Sequence, residues 1–135
     1  MEYKSKVGLP FNCNIKMACI DEDTARLLNE AGCNAITFGL ESGNEQLRNE
    51  IVLKDSTDKE IIEKASLLRR YNIKILSSNM IALPRETIDN VYETIHLNRK
   101  IKVEYTRVSM ARPFKGTRLF EFAEKNGLLA DKALN

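Results

Sequence analysis

Apolar and polar positions along the chain alternate between two periods, so that a strand-like run is followed by a helix-like run about four times. Alternating β-branched and aromatic residues predict strands, and apolar residues three and four apart predict helices. The predicted strands are 11–16, 35–40, 73–82 and 103–110. The predicted helices are 21–31, 42–49, 57–71, 87–100 and 117–125. Because helical crossovers join parallel strands, the pattern predicts an α/β chain of parallel βα repeats.

Several of the predicted helices have sequence signals at their ends. Asp21 is a predicted N-cap of the first helix, and Gly32 is its predicted stop. The segments 42–45 and 57–60 both have the S/T-x-x-E spacing of a capping box. The inward-facing residues of two long helices are predicted to be Ile61, Ile62, Ala65 and Leu68, and Val91, Ile95 and Leu97.

The first two predicted strands each carry polar residues on one face. Asn12, Asn14 and Lys16 share a face of the first strand. Thr37, Gly39 and Glu41 share a face of the second. An unpaired polar group in a core costs roughly 1–3 kcal/mol, so a plain core does not explain this pattern. Either these strands have one solvated face, or the polar residues line a concave ligand site. The ligand site explains the pattern better.

The run I-T-F-G-L-E-S-G at 36–43 is the most informative segment. Glu41 stands at the C-terminal end of a buried strand, where open α/β sheets and barrels place their ligand groups. Gly39 and Gly43 allow a tight bend or a close approach of the backbone. Alternatively, Glu41 and Ser42 stabilise the start of the following helix through its dipole, and both roles can hold at once.

Composition narrows the class of protein. The chain has 135 residues, 43% hydrophobic and 30% charged, with a net charge of +2, which fits one soluble domain. No apolar run is long enough to cross a membrane. The sequence also lacks the dense basic patch that would indicate nucleic-acid binding. Cys13, Cys19 and Cys33 have irregular spacings, and the N-terminus lacks the apolar core of a signal peptide. We therefore expect reduced thiols, no metal ligands among these residues, and a cytoplasmic location.

Five segments, in this order and spacing, resemble the later strands of the radical S-adenosylmethionine (SAM) enzymes. They are N-I-K at 14–16, A-G-C at 31–33, G-L-E-S-G at 39–43, M-I-A-L-P-R-E-T at 80–87 and P-F-K-G-T at 113–117. In that family the last three usually read G-[IL]-E-S-G, I-G-L-P-G-E-T and P-x-x-G-T. The chain most resembles the group whose members often carry an upstream cobalamin-binding domain. The resemblance implies a slice of a TIM-type partial (β/α)6 barrel with about four strands.

The family binds its iron–sulfur cluster with a C-x3-C-x2-C loop after the first barrel strand, and nothing in this chain matches that loop. We therefore expect residues 1–135 to be a single partial barrel domain, strands three to six, with the upstream cluster-binding part absent. The chain alone is expected to bind no cluster and to be inactive. The parent protein is expected to use SAM and a 4Fe-4S cluster, with cobalamin in some members. The alternative is a non-catalytic α/β binding or scaffolding module.

The implied reaction of the parent is an oxidoreductase step that cleaves SAM to a 5′-deoxyadenosyl radical and acts on a small-molecule substrate. The implied cofactor-binding residues are Asn14, Lys16, Gly39, Glu41, Ser42, Ser78 and Met80. Asn14 and Lys16 would approach the methionine end of SAM, and Glu41 would accept hydrogen bonds from the ribose hydroxyls. Ser78 and Met80 would approach the adenine, although Met80 fits an ordinary core equally well.

Three positions leave further alternatives open. Ala82 and Arg85 stand where the family usually has glycine, and Arg85 is strained if its φ is positive. Arg85 is either a surface cation or a contact to substrate or phosphate. Arg107 would reach substrate in a complete barrel or form a salt bridge to a helix. The strand at 11–16 is expected to be an exposed sheet edge, which would favour dimerisation.

Overall fold

The structure is a computed structural model that describes residues 2–129, so Met1 and 130–135 of the expected domain lie outside the described residues. Four parallel strands form one sheet in the order β1-β2-β3-β4. The strands are β1 Phe11–Asn14, β2 Cys33–Glu41, β3 Lys74–Ile81 and β4 Tyr105–Met110. The helices are α1 Glu2–Lys6, α2 Glu22–Ala31, α3 Glu45–Glu50, α4 Asp58–Arg70, α5 Ile88–Lys100 and α6 Arg118–Lys125. The predicted α/β class with about four parallel strands is confirmed.

The N-terminal part contains two elements that the pattern did not predict. The helix α1 has no buried residue and therefore no apolar stripe to reveal it. A 3-10 turn at Met17–Cys19 ends the first strand early, so that β1 stops at Asn14 instead of continuing to residue 16. The backbone N–H of Ile15 still donates to the carbonyl of Thr37 at 3.0 Å, which keeps the next residues beside β2.

The end signals of α2 and α4 are confirmed. Asp21 accepts a hydrogen bond from the backbone of Thr24 at 2.8 Å, and this bond lowers the pKa of the Asp21 carboxyl. Gly32 ends α2 in the left-handed region at φ 96°, where glycine is favoured. Thr57 and Glu60 form the predicted capping box of α4. These ends are local and therefore readable from sequence.

The predicted capping box at 42–45 is wrong. Asn44 is the N-cap of α3 and accepts from the backbone N–H of Leu47 at 2.9 Å. The hydroxyl of Ser42 instead accepts from the backbone N–H of Asn44 at 3.2 Å, in the turn before the helix. Because β2 continues to Glu41, the chain needs this turn before α3 can begin.

The core lies between the sheet and the helices. Ile36 and Leu40 on β2 are fully buried, as are the predicted inward residues Ile61 and Leu68 of α4. In α5 the prediction holds for Leu97, which is buried. Ile95, which was predicted to face inward, is 47% exposed, so this prediction is wrong. The buried positions of α5 are Thr94 and Leu97, a spacing of three that turns Ile95 outward.

A hydrogen-bonded network replaces part of the apolar core between β3, α5 and β4. The hydroxyl of Ser77 donates to the side-chain oxygen of Asn98 at 2.6 Å. The amide of Asn79 donates to the Thr106 hydroxyl at 2.6 Å, and Asn98 donates back to Asn79 at 3.2 Å. Because each buried polar group has partners, the network fixes how α5 packs on the sheet without an unsatisfied group.

Gly43 lets α5 come very close to the end of β2. A side-chain carbon at this position would lie 2.3 Å from the Cα of Thr94. The backbone N–H of Gly43 donates to the Thr94 hydroxyl at 2.7 Å. The close backbone approach that the sequence suggested for this glycine is therefore confirmed.

The strands differ in how deeply they are buried. β2 is mostly buried, whereas each residue of β4 is exposed. Both β1 and β4 are edge strands, as expected for β1. Within residues 2–129, none of the helices is both long enough and apolar enough to cross a lipid bilayer.

Candidate functional site

Polar side chains from all four strands meet in a cleft at the C-terminal edge of the sheet. The cleft has a volume of about 410 Å³. Its polar lining includes residues of β1, β2 and β3 or their ends, namely Asn14, Lys16, Thr37, Glu41 and Ser78. Lys54, from the loop after α3, and Arg107, from β4, complete it. The C-terminal edge of a parallel sheet is where α/β proteins place their ligand groups.

The strand register explains why these residues meet. Thr37 lies beside Asn14 in the β1–β2 pair. Gly39 lies beside Ser78, and Ser78 lies beside Arg107 across the next pair. Side chains two apart on a strand share a face, so the same face of each strand contributes to the cleft. The sequence-predicted polar face is therefore a single surface.

Glu41 is held at this edge by an irregularity in the strand. The β2–β3 register shifts between Gly39 and Glu41, and Glu41 has a positive φ of 65°. A carboxylate oxygen of Glu41 lies 3.0 Å from the ammonium of Lys54, and the two side chains are 12% and 36% exposed. Non-glycine residues seldom adopt this backbone conformation, and such strain is typical of functional positions.

The ion pair of Glu41 and Lys54 packs directly against the backbone of Gly39. A side-chain carbon at position 39 would lie 2.2 Å from the Glu41 carboxylate and 2.9 Å from the Lys54 ammonium. A larger residue would therefore push the pair away from the strand. The predicted role of Gly39, a close approach of a polar group to the backbone, is filled here by the chain's own Glu41 and Lys54.

A buried arginine holds the loop that carries Lys54. Arg48 of α3 is fully buried, and its guanidinium donates to Asp58 at 2.6 Å. It also donates to the carbonyl of Ser56 at 3.1 Å and to the carbonyl of Ser42 at 2.9 Å. These bonds tie both ends of the loop to the end of β2. Arg48 therefore positions Lys54 without lining the cleft.

Ser42 does not line the cleft. It is fully buried, its hydroxyl accepts from Asn44, and its carbonyl accepts from Arg48. Its contacts are those of a residue that builds the turn after β2. Of the predicted cofactor-binding residues, Ser42 is the one that the structure places inside the protein, because the chain bends immediately after Glu41.

Met80 lies in a second, apolar pocket beside the cleft. This pocket has a volume of about 780 Å³ and lies at the C-terminal ends of β3 and β4. Leu83 and Met110 also line it, and Met80 packs against the cluster that contains Leu47 and Ile51. Met80 therefore contacts the core on one side and lines the pocket on the other, so both interpretations of this residue remain open.

The turn after β3 carries the two residues that replace family glycines. Ala82 has φ 62° and Arg85 has φ 67°, the region that favours glycine. Arg85 therefore has the positive φ at which it was expected to be strained. Ala82 adopts the same strained backbone conformation. Arg85 is an exposed cation, 5.2 Å from the ring of Phe122 and 3.9 Å from Glu50.

The cysteines do not form a set that fits an iron–sulfur cluster. Cys13 and Cys33 lie on neighbouring strands with their sulfur atoms 3.9 Å apart, and Cys19 is exposed elsewhere. Burial, followed by the nearby Cys13, raises the pKa of the Cys33 thiol to about 11. Within residues 2–129, no three His, Cys, Asp or Glu side chains are grouped to hold a metal ion. The expectation that this chain binds no cluster stays a prediction.

Residues 2–129 thus bring five of the predicted site residues, Asn14, Lys16, Gly39, Glu41 and Ser78, into one cleft. Sequence reasoning did not place Lys54 or Arg48 in the site. Lys54 lies in a loop, and a loop position gives no periodic signal. Arg48 occupies a short helix on which a basic residue would ordinarily be solvated, so its burial left no signal in the sequence.

A family model and a curated relative match this chain. The model of the radical SAM superfamily matches residues 1–97. An uncharacterized methyltransferase of Pyrococcus horikoshii is 29% identical over 123 residues, which are 91% of this chain and 27% of that protein.

Solved structures share the fold. Coproporphyrinogen III oxidase HemN of Escherichia coli, a radical SAM enzyme, superposes with a TM-score of 0.72 at 15% identity, over 93% of this chain and 28% of that chain. The radical SAM methyltransferase TsrM of Kitasatospora setae also reaches 0.72, at 22% identity, over 84% of this chain and 22% of that chain. The chain therefore spans about a quarter of the length of each protein that it matches.

Proposed function

Because this chain belongs to the radical SAM superfamily, we propose that the polar cleft at the C-terminal edge of its sheet binds SAM within a larger barrel. The four strands would then be strands three to six of that barrel. The observation that carries the proposal is the meeting of Asn14, Lys16, Glu41, Lys54 and Ser78 in one cleft. These residues come from separate parts of the sequence, and the strand register brings their polar side chains onto one concave surface.

The chemistry of the cleft fits the two ends of SAM. Lys16 and Lys54 supply ammonium groups for the carboxylate of the methionine end, and the Asn14 amide serves its carboxylate or ammonium. Glu41 supplies an ionised acceptor for the ribose hydroxyls. In the absence of ligand Glu41 pairs with Lys54 at 3.0 Å. Both partners are partly exposed, so they can exchange that contact for one to the ligand.

The apolar pocket beside the cleft suits the adenine. Met80 and Leu83 offer an apolar wall, and Ser78 stands between this wall and the ribose end of the cleft. A thioether packs favourably against an aromatic ring edge. Ser42, in contrast, acts on the site only by shaping the turn that presents Glu41.

We propose that the parent protein is a radical SAM oxidoreductase whose cluster ligands are not among these 135 residues, since no C-x3-C-x2-C motif is present. A 4Fe-4S cluster, when bound, supplies the electron for reductive cleavage of SAM to a 5′-deoxyadenosyl radical. The chain's own residues bind and orient SAM and exclude water around it. Alone, the chain is proposed to be inactive. The likeness to TsrM, whose solved structure has cobalamin bound, supports a cobalamin cofactor in the parent.

We also propose a small-molecule substrate and a cytoplasmic location for the parent. The edge strand β1 offers unpaired backbone groups, which supports dimerisation of the isolated chain through this edge.

The test is the affinity of the 135-residue chain for S-adenosylhomocysteine, measured by isothermal titration calorimetry. Glu41→Ala is expected to weaken binding about ten- to a hundredfold, because a hydrogen bond to an ionised acceptor is worth roughly 1.5–3 kcal/mol. The melting temperature should change little, since Glu41 is not part of the apolar core.

Glu63→Ala is the matched control, because Glu63 is an exposed carboxylate of α4 outside the cleft. It should leave the affinity unchanged. Equal affinity in wild type and Glu41→Ala would contradict the proposal. A normal affinity together with a loss of several degrees in melting temperature would assign Glu41 to the structural role alone, and the non-catalytic module would then be the better reading.

A further inference from the structure

The apolar pocket is much larger than a purine ring requires. Its volume of about 780 Å³ lies within the range of roughly 300–1,000 Å³ that is typical of sites that bury a drug-sized ligand. One wall is formed by Met80 and Leu83 from the end of β3 and the turn after it. Phe114 in the loop after β4 and Leu119 in the first turn of α6 form a second part of the lining, the Phe114 wall. A ligand on the Met80 wall leaves this second wall free.

The charged groups of the pocket are of one sign. Arg112 and Arg118 line it, and no aspartate or glutamate does. Among residues 2–129, neither guanidinium has a carboxylate within ion-pair distance. In contrast, Arg69 pairs with Glu104 at 3.1 Å, and Arg26 pairs with Glu30 at 3.0 Å. Arginines at an apolar pocket without counter-charges favour an anionic group on the ligand.

The two arginines differ in their surroundings. Arg118 also borders a smaller depression that contains Glu50, Glu121 and Lys125. The two carboxylates outnumber the one ammonium group, so together they weaken the positive potential around Arg118. Arg112 lines only the apolar pocket among the depressions described above. We therefore expect Arg112 to contribute more to anion binding than Arg118.

The pocket is continuous with the proposed SAM cleft. Val52 and Leu53 line both the apolar pocket and a groove that also contains Lys16 and Lys54. A molecule in the apolar pocket would therefore lie beside a molecule in the cleft. This is the arrangement that a reaction between two bound molecules requires.

We propose that the Phe114 wall of this pocket binds an apolar substrate that carries a carboxylate, with Arg112 and Arg118 as the residues that recognise its charge. The inference rests on the proposed SAM site, since it assigns the substrate class to the neighbouring pocket. A carboxylate suits the pocket better than a phosphate monoester. The lining is mainly apolar, and a doubly charged phosphate costs more to remove from water than a singly charged carboxylate.

The test uses two fluorescent probes of nearly equal size, 1-pyrenebutyrate, which is anionic, and 1-pyrenebutanol, which is neutral. Each is titrated with the 135-residue chain, and the vibronic band ratio of the pyrene emission reports transfer into an apolar site. The chain contains no tryptophan, so its own emission does not interfere. The wild type is expected to prefer the butyrate about tenfold, the worth of one hydrogen bond to a charged group, and added salt should reduce the preference.

Arg112→Gln is expected to remove most of this preference, and Arg118→Gln a smaller part. The butanol affinity should stay the same in both variants, because glutamine keeps the pocket polar at its rim and leaves its apolar walls intact. Arg99→Gln is the matched control, since Arg99 is exposed in the last turn of α5, away from the pocket. It should retain the full preference.

A preference for butyrate that persists in the Arg112→Gln Arg118→Gln double variant would overturn the proposal, as would equal affinity for both probes in the wild type. An equal loss of affinity for both probes in the variants would also overturn it, because this would show a packing effect. S-adenosylhomocysteine binding is measured on the same proteins. If it stays dependent on Glu41 while the butyrate preference is absent, the pocket proposal fails and the proposed function stands.

Discussion

Arg48 and Lys54 lie only six residues apart in the sequence, and each pairs with a carboxylate, yet the two pairs are built in opposite ways. Arg48 is fully buried, and its donors are taken up by Asp58 and by backbone carbonyls. Lys54 is 36% exposed and has Glu41 as its ion-pair partner at the cleft. Because Arg48 is fully buried, its guanidinium is not accessible to a ligand. An open pair with one partner can exchange it.

This contrast separates structural charge from functional charge in the same loop. The buried pair sets where the loop lies, because Arg48 bonds both to the turn after β2, at Ser42, and to the C-terminal end of the loop, at Ser56 and Asp58. The open pair then stands at the position that the buried pair defines. Substitution of Arg48 should therefore change mainly the free energy of unfolding, and substitution of Lys54 should change mainly the affinity for the ligand.

The largest expected effect is on stability, at the buried pair. Arg48→Met should lower the free energy of unfolding by about 2–4 kcal/mol, because it leaves buried carbonyls without donors and Asp58 without its cation. Asp58 is 44% exposed, which keeps the loss below that of a fully buried partner. Urea denaturation measures the change.

The matched control for Arg48→Met is Arg26→Met. Arg26 pairs with Glu30 on the surface of α2 and is 45% exposed, so its replacement should cost less than about 1 kcal/mol. Equal losses in the two variants would show that the Arg48 cluster is not a stabilising feature, and the comparison between the two pairs would fail.

The intermediate effect is on binding, at the open pair. Lys54→Met should change the free energy of unfolding by about 0.5 kcal/mol or less, as is usual for a partly exposed ion pair. It should weaken S-adenosylhomocysteine binding about tenfold, because the ligand carboxylate loses a cation. Calorimetry on the variant and on Lys59→Met, whose lysine is an exposed residue of α4, measures the difference. An unchanged affinity with a clear loss of stability would show that Lys54 is as structural as Arg48.

The smallest expected effect at neutral pH is on the free energy of unfolding and comes from the buried thiol of Cys33, which has no counter-charge. Burial is the main cause that raises the pKa of Cys33 from 9.0 to about 11, and the neighbouring Cys13 adds to it. Below pH 9 the thiol is protonated in both the folded and the unfolded chain, so no effect is expected. As the pH rises from about 9 to about 11, the unfolded thiol ionises first, and the free energy of unfolding falls.

Denaturation of wild type and Cys33→Ala across this pH range measures the effect of Cys33 as the difference between the two curves. The difference in free energy of unfolding between wild type and Cys33→Ala should be constant up to about pH 9 and should change above it. Cys19→Ala is the control and should show no such change, since Cys19 is exposed. A difference that stays constant to pH 11 would show that burial does not perturb this thiol.

The fold and most of the cleft could be predicted because their signals are local or periodic. The capping box of α4 and its buried Ile61 and Leu68 follow from residue type and spacing alone. The shared face of Thr37, Gly39 and Glu41 follows from strand alternation.

Features that depend on tertiary contacts left no comparable signal. The burial of Arg48 depends on carbonyls from two other segments, and the reach of Lys54 depends on where that arginine holds the loop. Ile95 fits an apolar stripe on α5, but the close approach at Thr94 rotates the helix and leaves Ile95 exposed. Periodicity identifies that a helix has an inner face, and the packing partner determines which residues occupy it.

The exposure of β4 on both faces has a consequence for how ligand binding and local unfolding are linked. Backbone hydrogen bonds of a strand with little cover open at a lower free energy than those of a buried strand such as β2. Ser109 and Met110 of β4 also form part of the apolar pocket, so each opening of this strand removes one side of the pocket. A ligand that binds only the closed form must therefore shift this local equilibrium, and amide hydrogens of β4 should exchange more slowly in proportion to ligand occupancy.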